Sequence, residues 1–197
     1  MLPLRHMSIY YFLGILSGVF FTIAYVPYIY SVIKGETKPH PFSWLLWELI
    51  GIISLFFYIR VGAHETLPLA FLGSIFPLIV FLFSLKYWKS GFSKFDYIVL
   101  FLSLTSIFLY VIFHSASVSL SVGILADMFA FMPTIRKTFI DPSSESLISW
   151  FLFLLSYVFS VLAISTWTYG VAIFPCYLAV FGTIMCILIL RGRLKKG

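Results

Sequence analysis

Asp127 is the residue with the clearest potential for chemistry in this sequence. It lies near the middle of an apolar stretch from about 117 to 139. An acidic side chain in such a position is costly and usually faces a cavity or a partner helix. No Lys, Arg or His lies at comparable depth, so the carboxyl would act as a neutral hydrogen-bond donor, a proton carrier or a contact for a bound solute. The structural alternative is a hydrogen bond to a serine or tyrosine on a neighbouring helix.

Three tryptophans and a second acid form another group of candidates. Trp44, Trp47 and Trp150 offer flat apolar faces and indole N–H donors to sugars, nucleosides or other rings. Glu48 follows Trp47 directly, so its carboxyl could hold a substrate hydroxyl beside the aromatic wall. The alternatives are an interfacial aromatic belt for the tryptophans and snorkelling to the interface for Glu48.

The usual patterns of catalytic and metal sites are absent from the sequence. The four histidines do not cluster at metal-ligand spacing, and there is no glycine-rich phosphate loop, nucleophile motif or pair of carboxylates. The basic residues, which give a net charge of +6, are spread over several loops and the tail rather than forming one stripe. We therefore expect no enzyme activity, no cofactor, no metal and no nucleic-acid partner.

The composition predicts that membrane-spanning helices position these residues. Of 197 residues, 61% are hydrophobic and 10% are charged, whereas a soluble domain has roughly 45–50% apolar and 25% charged residues. Because backbone polar groups must be paired inside lipid, the spans are either helices or strands of a closed barrel. The apolar stretches run to roughly 20 residues without the alternation of barrel strands, which indicates an all-α membrane protein.

Seven stretches are long enough to cross a bilayer, and no long linker separates them into domains. They cover about 8–33, 42–60, 66–86, 95–113, 117–139, 146–166 and 170–190. Asp141 and Pro142 have the pattern of a capping acid followed by a proline in the first turn, which predicts a helix start there. The chain 1–197 is therefore expected to be a single transmembrane domain with a basic tail at 191–197.

The distribution of basic residues predicts the orientation in the membrane. With the N-terminus outside, 11 of the 13 Lys and Arg residues fall on the inner side: Lys34, Lys38, Lys86, Lys89, Lys94, Arg136, Lys137, Arg191, Arg193, Lys195 and Lys196. This agrees with the positive-inside rule and favours an odd number of spans. The compact chain without a targeting signal suggests a bacterial inner membrane with a cytoplasmic C-terminus; an intracellular membrane is the alternative.

An internal repeat organises the predicted spans. A shift of 106 residues places Ala24-Tyr25-Val26-Pro27 on Ala130-Phe131-Met132-Pro133, and Ser43-Trp44 on Ser149-Trp150. A shift of 98 places Ile75-Phe76-Pro77 on Ile173-Phe174-Pro175. Repeat one, about 8–86, and repeat two, about 117–190, thus hold three spans each, and the span at about 95–113 links them. Two parallel three-helix bundles around one linker helix, a 3+1+3 arrangement, are a known transporter design.

With these residues the chain resembles the PQ-loop and SWEET superfamily over nearly its whole length. The Pro-Gln pair of that family reads Pro27-Tyr28 in the first repeat and Pro133-Thr134 in the second, and Ser43 and Ser149 follow downstream. The resemblance implies alternating access, with the two prolines as hinges, while helical spacing places Thr134 on the same face as Asp127. A static kink that only shapes packing is the alternative for the prolines.

Together these features predict a carrier for a small polar metabolite, such as a sugar, an amino acid or a vitamin-like solute, with or without a coupled proton. The site would lie near mid-membrane between the bundles and include Asp127, Trp44, Glu48, Trp150, Thr134 and Tyr28. The alternative is a non-transporting receptor or assembly factor on the same scaffold. Besides the lipid bilayer and the solute, a second copy of the chain is a candidate partner, as a homo-oligomer.

Overall fold

The helices of this chain begin and end close to the limits of its apolar stretches. A computed structural model describes residues 9–87 and 94–194, and in these ranges it contains helices and loops but no β-strand. The α-helices are α1 (Ile9–Lys34), α2 (Pro41–Arg60), α3 (Leu67–Gly73), α4 (Phe76–Ser84), α5 (Lys94–Phe113), α6 (Ala116–Ile140), α7 (Leu147–Leu162) and α8 (Tyr169–Leu194). Short 3-10 turns follow α4 at Leu85–Tyr87 and α6 at Pro142–Ser144.

Five helical segments in the described ranges are long and apolar enough to cross a membrane. They are Ile9–Lys34, Pro41–Arg60, Leu67–Tyr87, Ala116–Ile140 and Tyr169–Gly192, and α7 is a shorter apolar helix. Large apolar side chains also point outward, for example Val26, which is 67% exposed, and Ile187, which is 59% exposed. Outward apolar side chains along long apolar helices match a lipid environment. The chain is therefore a helical integral membrane protein.

Local capping signals explain where several helices start and stop. Proline occupies the first turn of α2, α3 and α4, where its missing N–H would have no intrahelical partner. The side chains of Ser115 and Ser146 cap α6 and α7 by accepting hydrogen bonds from backbone N–H groups. Gly35 ends α1 with a φ of 78°, a conformation that favours glycine.

The packing divides the helices into two halves, which we define as α1–α4 and α6–α8. Helix α1 packs mainly against α7, and α2 packs mainly against α6, so each half contributes its first two helices to the contact with the other. Within the first half, α3 and α4 contact both α1 and α2; within the second, α8 contacts both α6 and α7. Helix α5 packs against α6 and α2.

Loops from both halves meet at each end of the bundle. At the end that we call the basic end, the Lys137 ammonium donates to the Lys38 carbonyl at 2.7 Å, and the Lys38 N–H donates to the Ser144 carbonyl at 3.4 Å. At the opposite end, the Ser165 hydroxyl donates to the Glu65 carboxylate at 2.8 Å. These contacts join the halves on both sides of the bundle centre.

The third apolar stretch differs from its prediction as one span at about 66–86. It forms two helices, because α3 ends at Gly73 and α4 begins only at Phe76. Pro77 cannot donate a hydrogen bond to the carbonyl of Gly73, four residues earlier, and its ring disfavours a helical residue before it. The Ser74 hydroxyl instead donates to the Phe71 carbonyl at 2.7 Å, which helps to close the end of α3.

Two other boundaries also correct the sequence prediction. The Asp141 carboxylate caps the 3-10 turn that follows, whereas the long helix α7 starts later, after Ser146. The stretch predicted at about 146–166 ends as a helix at Leu162, since the chain turns at Ala163. The predicted limits of α1, α2, α5 and α6 agree with the structure to within one residue.

Candidate functional site

A cavity lies between the two halves, near the middle of the bundle. It contains about 630 Å³ of empty space, part of which is open to the outside. Its walls come from α1 to α4 in the first half and from α6 to α8 in the second, and α5 contributes none of the described lining residues.

The walls of this cavity consist mostly of residues related by the internal repeat. The shift of 106 residues pairs five lining residues of α1 and α2 with five lining residues of α6 and α7. The pairs are Phe21 with Asp127, Tyr25 with Phe131, Trp44 with Trp150, Trp47 with Phe153, and Gly51 with Tyr157. The register found in the sequence therefore also relates the two sides of the cavity.

Six of these rings form a closed loop of aromatic contacts, which we call the aromatic collar. Its members, in order of contact, are Tyr25, Trp44, Trp47, Phe131, Trp150 and Phe153, and Phe153 contacts Tyr25 again. Neighbouring ring centroids lie between 4.5 and 6.2 Å apart. Such separations are typical of favourable aromatic pairs.

The collar follows the repeat approximately in its distances as well as in its residues, with the largest difference between the mates Trp44 to Trp47 at 4.8 Å and Trp150 to Phe153 at 5.7 Å. The centroids of Tyr25 and Trp44 are 6.1 Å apart, and those of their mates Phe131 and Trp150 are 6.2 Å apart. The two contacts that cross between the halves are also mates: Trp47 to Phe131 at 4.5 Å and Phe153 to Tyr25 at 4.9 Å. Each half therefore supplies three rings. The two equivalent ring contacts between the halves, Trp47 to Phe131 and Phe153 to Tyr25, close the loop, and we call them the cross joints of the collar.

Asp127 lines the cavity one helical turn before the collar residue Phe131. It is 5% exposed, and in the described part of the chain no cation pairs with it. The hydroxyls of Tyr157 and Tyr177 are near enough to interact electrostatically with its carboxyl. The Tyr177 hydroxyl nevertheless lacks the geometry of a hydrogen bond to any described residue. The carboxyl is thus a buried polar group facing a cavity.

The three candidate tryptophans are buried rather than exposed to lipid. Trp44, Trp47 and Trp150 are 3%, 9% and 2% exposed, and all three line the cavity as members of the collar. Their burial disagrees with the alternative interpretation of these tryptophans as an interfacial aromatic belt. The Trp150 indole N–H donates to the Glu145 carboxylate at 3.0 Å, whereas the indole N–H groups of Trp44 and Trp47 find no partner among the described residues.

Glu48 has a role that neither sequence interpretation included. Its carboxylate accepts a hydrogen bond of 3.0 Å from the backbone N–H of Leu78, in the first turn of α4. Because the helix breaks before α4, the first N–H groups of α4 have no intrahelical partner, and a carboxylate at this positive end is favourable. Glu48 is 7% exposed and does not line the cavity, so it holds the broken helix rather than touching the cavity or the interface.

Tyr28 and Thr134 are repeat mates that lie beyond the collar, toward the basic end. Tyr28 is 0% exposed and Thr134 is 1% exposed, and neither lines the cavity. The Tyr28 ring contacts Trp44 with centroids 5.0 Å apart. Their hydroxyls make no hydrogen bond to the described residues. Both side chains therefore lie behind the cavity wall.

Pro27 and Pro133 lie inside the continuous helices α1 and α6. Each follows a collar residue, Tyr25 or Phe131, by two positions. Each proline lacks the N–H that would bond the carbonyl four residues earlier, at Ile23 or Phe129. The two helices thus lack a backbone hydrogen bond next to the collar, at matching positions.

Glu145 is a buried charge that the sequence analysis missed. It lies in the loop after α6 and is 5% exposed. Its carboxylate forms an ion pair of 2.5 Å with the Lys137 ammonium, besides accepting the Trp150 N–H. An acid in a loop ordinarily faces water, whereas this one is enclosed beside Lys137 and Trp150, where the loop around Lys38 of the first half also meets Lys137. The repeat gave no signal either, since the residue at the equivalent position is Pro39.

Comparison with known proteins gives no match for this chain among family models, curated proteins or solved structures.

Proposed function

We propose that this protein is a seven-span transporter of the 3+1+3 type, which moves a small polar metabolite across the membrane by alternating access. In this proposal α3, α4 and the turn after them form one broken span, α5 is the linker helix, and the two halves are parallel repeats. The packing supports it, because α1 with α7 and α2 with α6 are equivalent contacts under the repeat. A relationship to the PQ-loop and SWEET superfamily belongs to the same proposal.

The single observation that carries the proposal is the cavity between the halves, with walls made of repeat mates. A transporter needs a site that two similar halves can expose to one side and then to the other. A cavity between the two halves, with walls from both, meets this need. Small opposite movements of the halves would open it first toward one side of the membrane and then toward the other. Ligand sites of this kind combine apolar walls with few polar groups.

Contacts between the halves lie on both sides of the cavity. Toward the basic end lie the two cross joints of the collar and the bond from Lys137 to Lys38. Toward the opposite end, the Tyr58 hydroxyl donates to the Val171 carbonyl at 3.0 Å. In the proposed cycle one set of contacts breaks while the other holds. The missing hydrogen bonds at Pro27 and Pro133 would let α1 and α6 bend beside the collar.

The proposed orientation has the basic end inside the cell and the N-terminus outside, in a bacterial inner membrane. The charges at this end support it, because Lys34, Lys38, Lys86 and Arg136 are all exposed there. Single cysteines at Glu36 and at His64, in a background without Cys176 and Cys186, would be labelled in intact cells with an impermeant reagent. Labelling at position 64 alone is expected, and labelling at position 36 alone would reverse the orientation.

The transport function can be tested by binding and exchange. The purified protein would be screened by thermal unfolding against sugars, amino acids, nucleosides, vitamins, amines and organic acids. A ligand at 100 times its dissociation constant adds about 2.7 kcal/mol to the free energy of unfolding. Each hit would then be loaded into vesicles containing the protein, and exchange of labelled solute would be followed.

Asp127→Asn is the site variant for this test, and Glu36→Gln is its matched control, because Glu36 is an exposed acid in a loop. We expect exchange in the wild type and in the control, and weaker binding in Asp127→Asn. Binding without exchange in sealed vesicles would favour a receptor on the same scaffold. Neither binding nor exchange across the whole panel would refute the transport proposal.

A further inference from the structure

The cavity has a distinctive charge character that narrows the class of solute. Asp127 is the one acidic side chain in its described lining, and no Lys, Arg or His is present there. The remaining described lining is mostly aromatic or aliphatic. A carboxyl that is 5% exposed, without a cationic partner among the described residues, would be compensated by a positive charge on a solute.

The same walls disfavour the other solute classes. An anion would meet no positive side chain among the described lining residues, and it would lie beside a carboxyl. A sugar carries several hydroxyls, whereas the side-chain oxygen atoms in the described lining belong to only three residues, Tyr25, Asp127 and Tyr157. Beyond these oxygens and the unpartnered indole N–H groups of Trp44 and Trp47, each further sugar hydroxyl would lose its hydrogen bonds to water without replacement, at a cost for each.

The aromatic collar supplies the second feature that suits a cation. Ammonium groups are attracted to aromatic faces within about 6 Å of a ring centroid. Neighbouring centroids in the collar are 4.5 to 6.2 Å apart. All six collar residues line the cavity, so a cation held there would have several aromatic rings around it.

We propose that the solute is a small organic cation, whose ammonium group pairs with the Asp127 carboxylate and contacts the rings of the aromatic collar. This inference rests on the proposed function and adds the chemistry of the substrate to it. The carboxylate lies one turn from the collar on α6, so a single ammonium group can approach both. The carboxylate provides charge recognition, and the rings replace the water around the alkyl groups of the cation.

The test compares solutes that differ in charge but hardly in shape. Choline would be paired with 3,3-dimethylbutan-1-ol, in which carbon replaces the nitrogen, and benzylamine would be paired with benzyl alcohol. Sucrose and benzoate would represent sugars and anions. Binding to the purified wild type would be measured by calorimetry and by thermal unfolding. We expect at least one cation to bind about tenfold or more tightly than its neutral partner.

Variants locate the effect within the cavity. Asp127→Asn should remove the preference for the cation over its neutral partner, whereas the control Glu36→Gln should keep it. Trp47→Phe should weaken cation binding less than Trp47→Leu does, because an aromatic face is retained. If a variant fails to fold, the comparison of each cation with its neutral partner on the wild-type protein still decides the question.

The outcomes separate this inference from the transport proposal. Equal binding of a cation and its neutral partner, binding only of the sugar or the anion, or no binding of either cation would overturn the organic-cation assignment. If a neutral solute from the wider panel is exchanged across vesicles, the transport proposal survives that loss. If a cation binds at Asp127 but no solute is exchanged, the assignment stands and the transport proposal falls.

Discussion

The two halves of this protein share their framework but place their buried acids at different positions. In the second half Asp127 faces the cavity, and its mate in the first half is Phe21. In the first half Glu48 caps α4, and its mate in the second half is Leu154. The residues related by the repeat form the cavity walls and the collar. The two acids without an acidic mate, Asp127 and Glu48, place a carboxyl in the cavity and at the start of α4.

The third element of each half shows why the acids differ. In the first half it breaks into α3 and α4, and the Glu48 carboxylate accepts a hydrogen bond from an N–H that the break leaves free. In the second half α8 is continuous from Tyr169 to Leu194, although Pro175 lies inside it at the position of Pro77. A continuous helix has no free N–H groups at its centre, so an apolar Leu154 suffices there.

The largest expected effect tests the equivalence of the two collar tryptophans. Trp44→Ala and Trp150→Ala should each lower the free energy of unfolding by about 3–5 kcal/mol, since each removes a buried ring from the same closed loop. Trp150→Ala should cost about 1 kcal/mol more, because Glu145 also loses a hydrogen bond. Thermal and denaturant unfolding in one detergent would measure both.

Trp167→Ala is the matched control for these two changes. This tryptophan is 64% exposed and lies in the loop before α8, so its loss should alter the unfolding midpoint little. If Trp44→Ala were as harmless as the control while Trp150→Ala were severe, the two halves of the collar would not be equivalent.

The next effect concerns the broken third span. Glu48→Leu introduces the residue of the second half, and it should cost about 1–3 kcal/mol because the N–H of Leu78, at the free end of α4, loses its acceptor. Glu48→Gln keeps an acceptor oxygen and should cost clearly less. Both would be measured by unfolding, with Glu36→Leu as the exposed control. A Glu48→Leu protein as stable as the wild type would remove the capping role.

A smaller effect tests whether the cavity depends on which half carries the acid. Asp127→Phe should lower the affinity for any bound solute about tenfold or more, which corresponds to about 1.4 kcal/mol. Adding Phe21→Asp to that variant returns a carboxyl to the mate position and should recover part of the loss. Calorimetric titration of the single and double variants would show it. No recovery would mean that the two sides of the cavity differ beyond this residue pair.

The smallest expected effect concerns the two prolines beside the collar. Pro27→Ala and Pro133→Ala each restore an N–H that can bond a carbonyl one turn earlier, which should stiffen α1 or α6. We expect solute exchange to slow severalfold in each variant and further in the double variant, with unfolding little changed. Exchange at the wild-type rate in the double variant would assign the prolines to packing alone.

The sequence allowed the apolar helices and the repeat to be predicted, because both depend on local composition and on register. The candidate site was predicted only in part. Trp44 and Trp150 stood out because they are identical mates, whereas Tyr25 with Phe131, and Trp47 with Phe153, are unlike pairs whose common feature is an aromatic ring. Their equivalence becomes visible only when the rings are seen in contact.

The roles of the other acids depended on tertiary structure. Glu48 acquires its function from a helix break some 30 residues further along the chain, and Glu145 is buried beside Lys137 and Trp150 where loops of both halves meet. Neither condition leaves a pattern near the acid itself. Pro77 was the available signal for the break, since a proline within a predicted span commonly ends or bends the helix.

The two cross joints of the aromatic collar also bear on how such a chain could arise. Each half holds three rings in contact without help from the other, and the joints between halves are equivalent. A single ancestral unit pairing with its own copy could therefore have closed the same six-ring loop. In such a pair every acid would occur twice, facing its twin. Only after gene duplication could one copy keep Phe21 while the other held Asp127, so the single acid in the described lining of the cavity would be a consequence of that duplication.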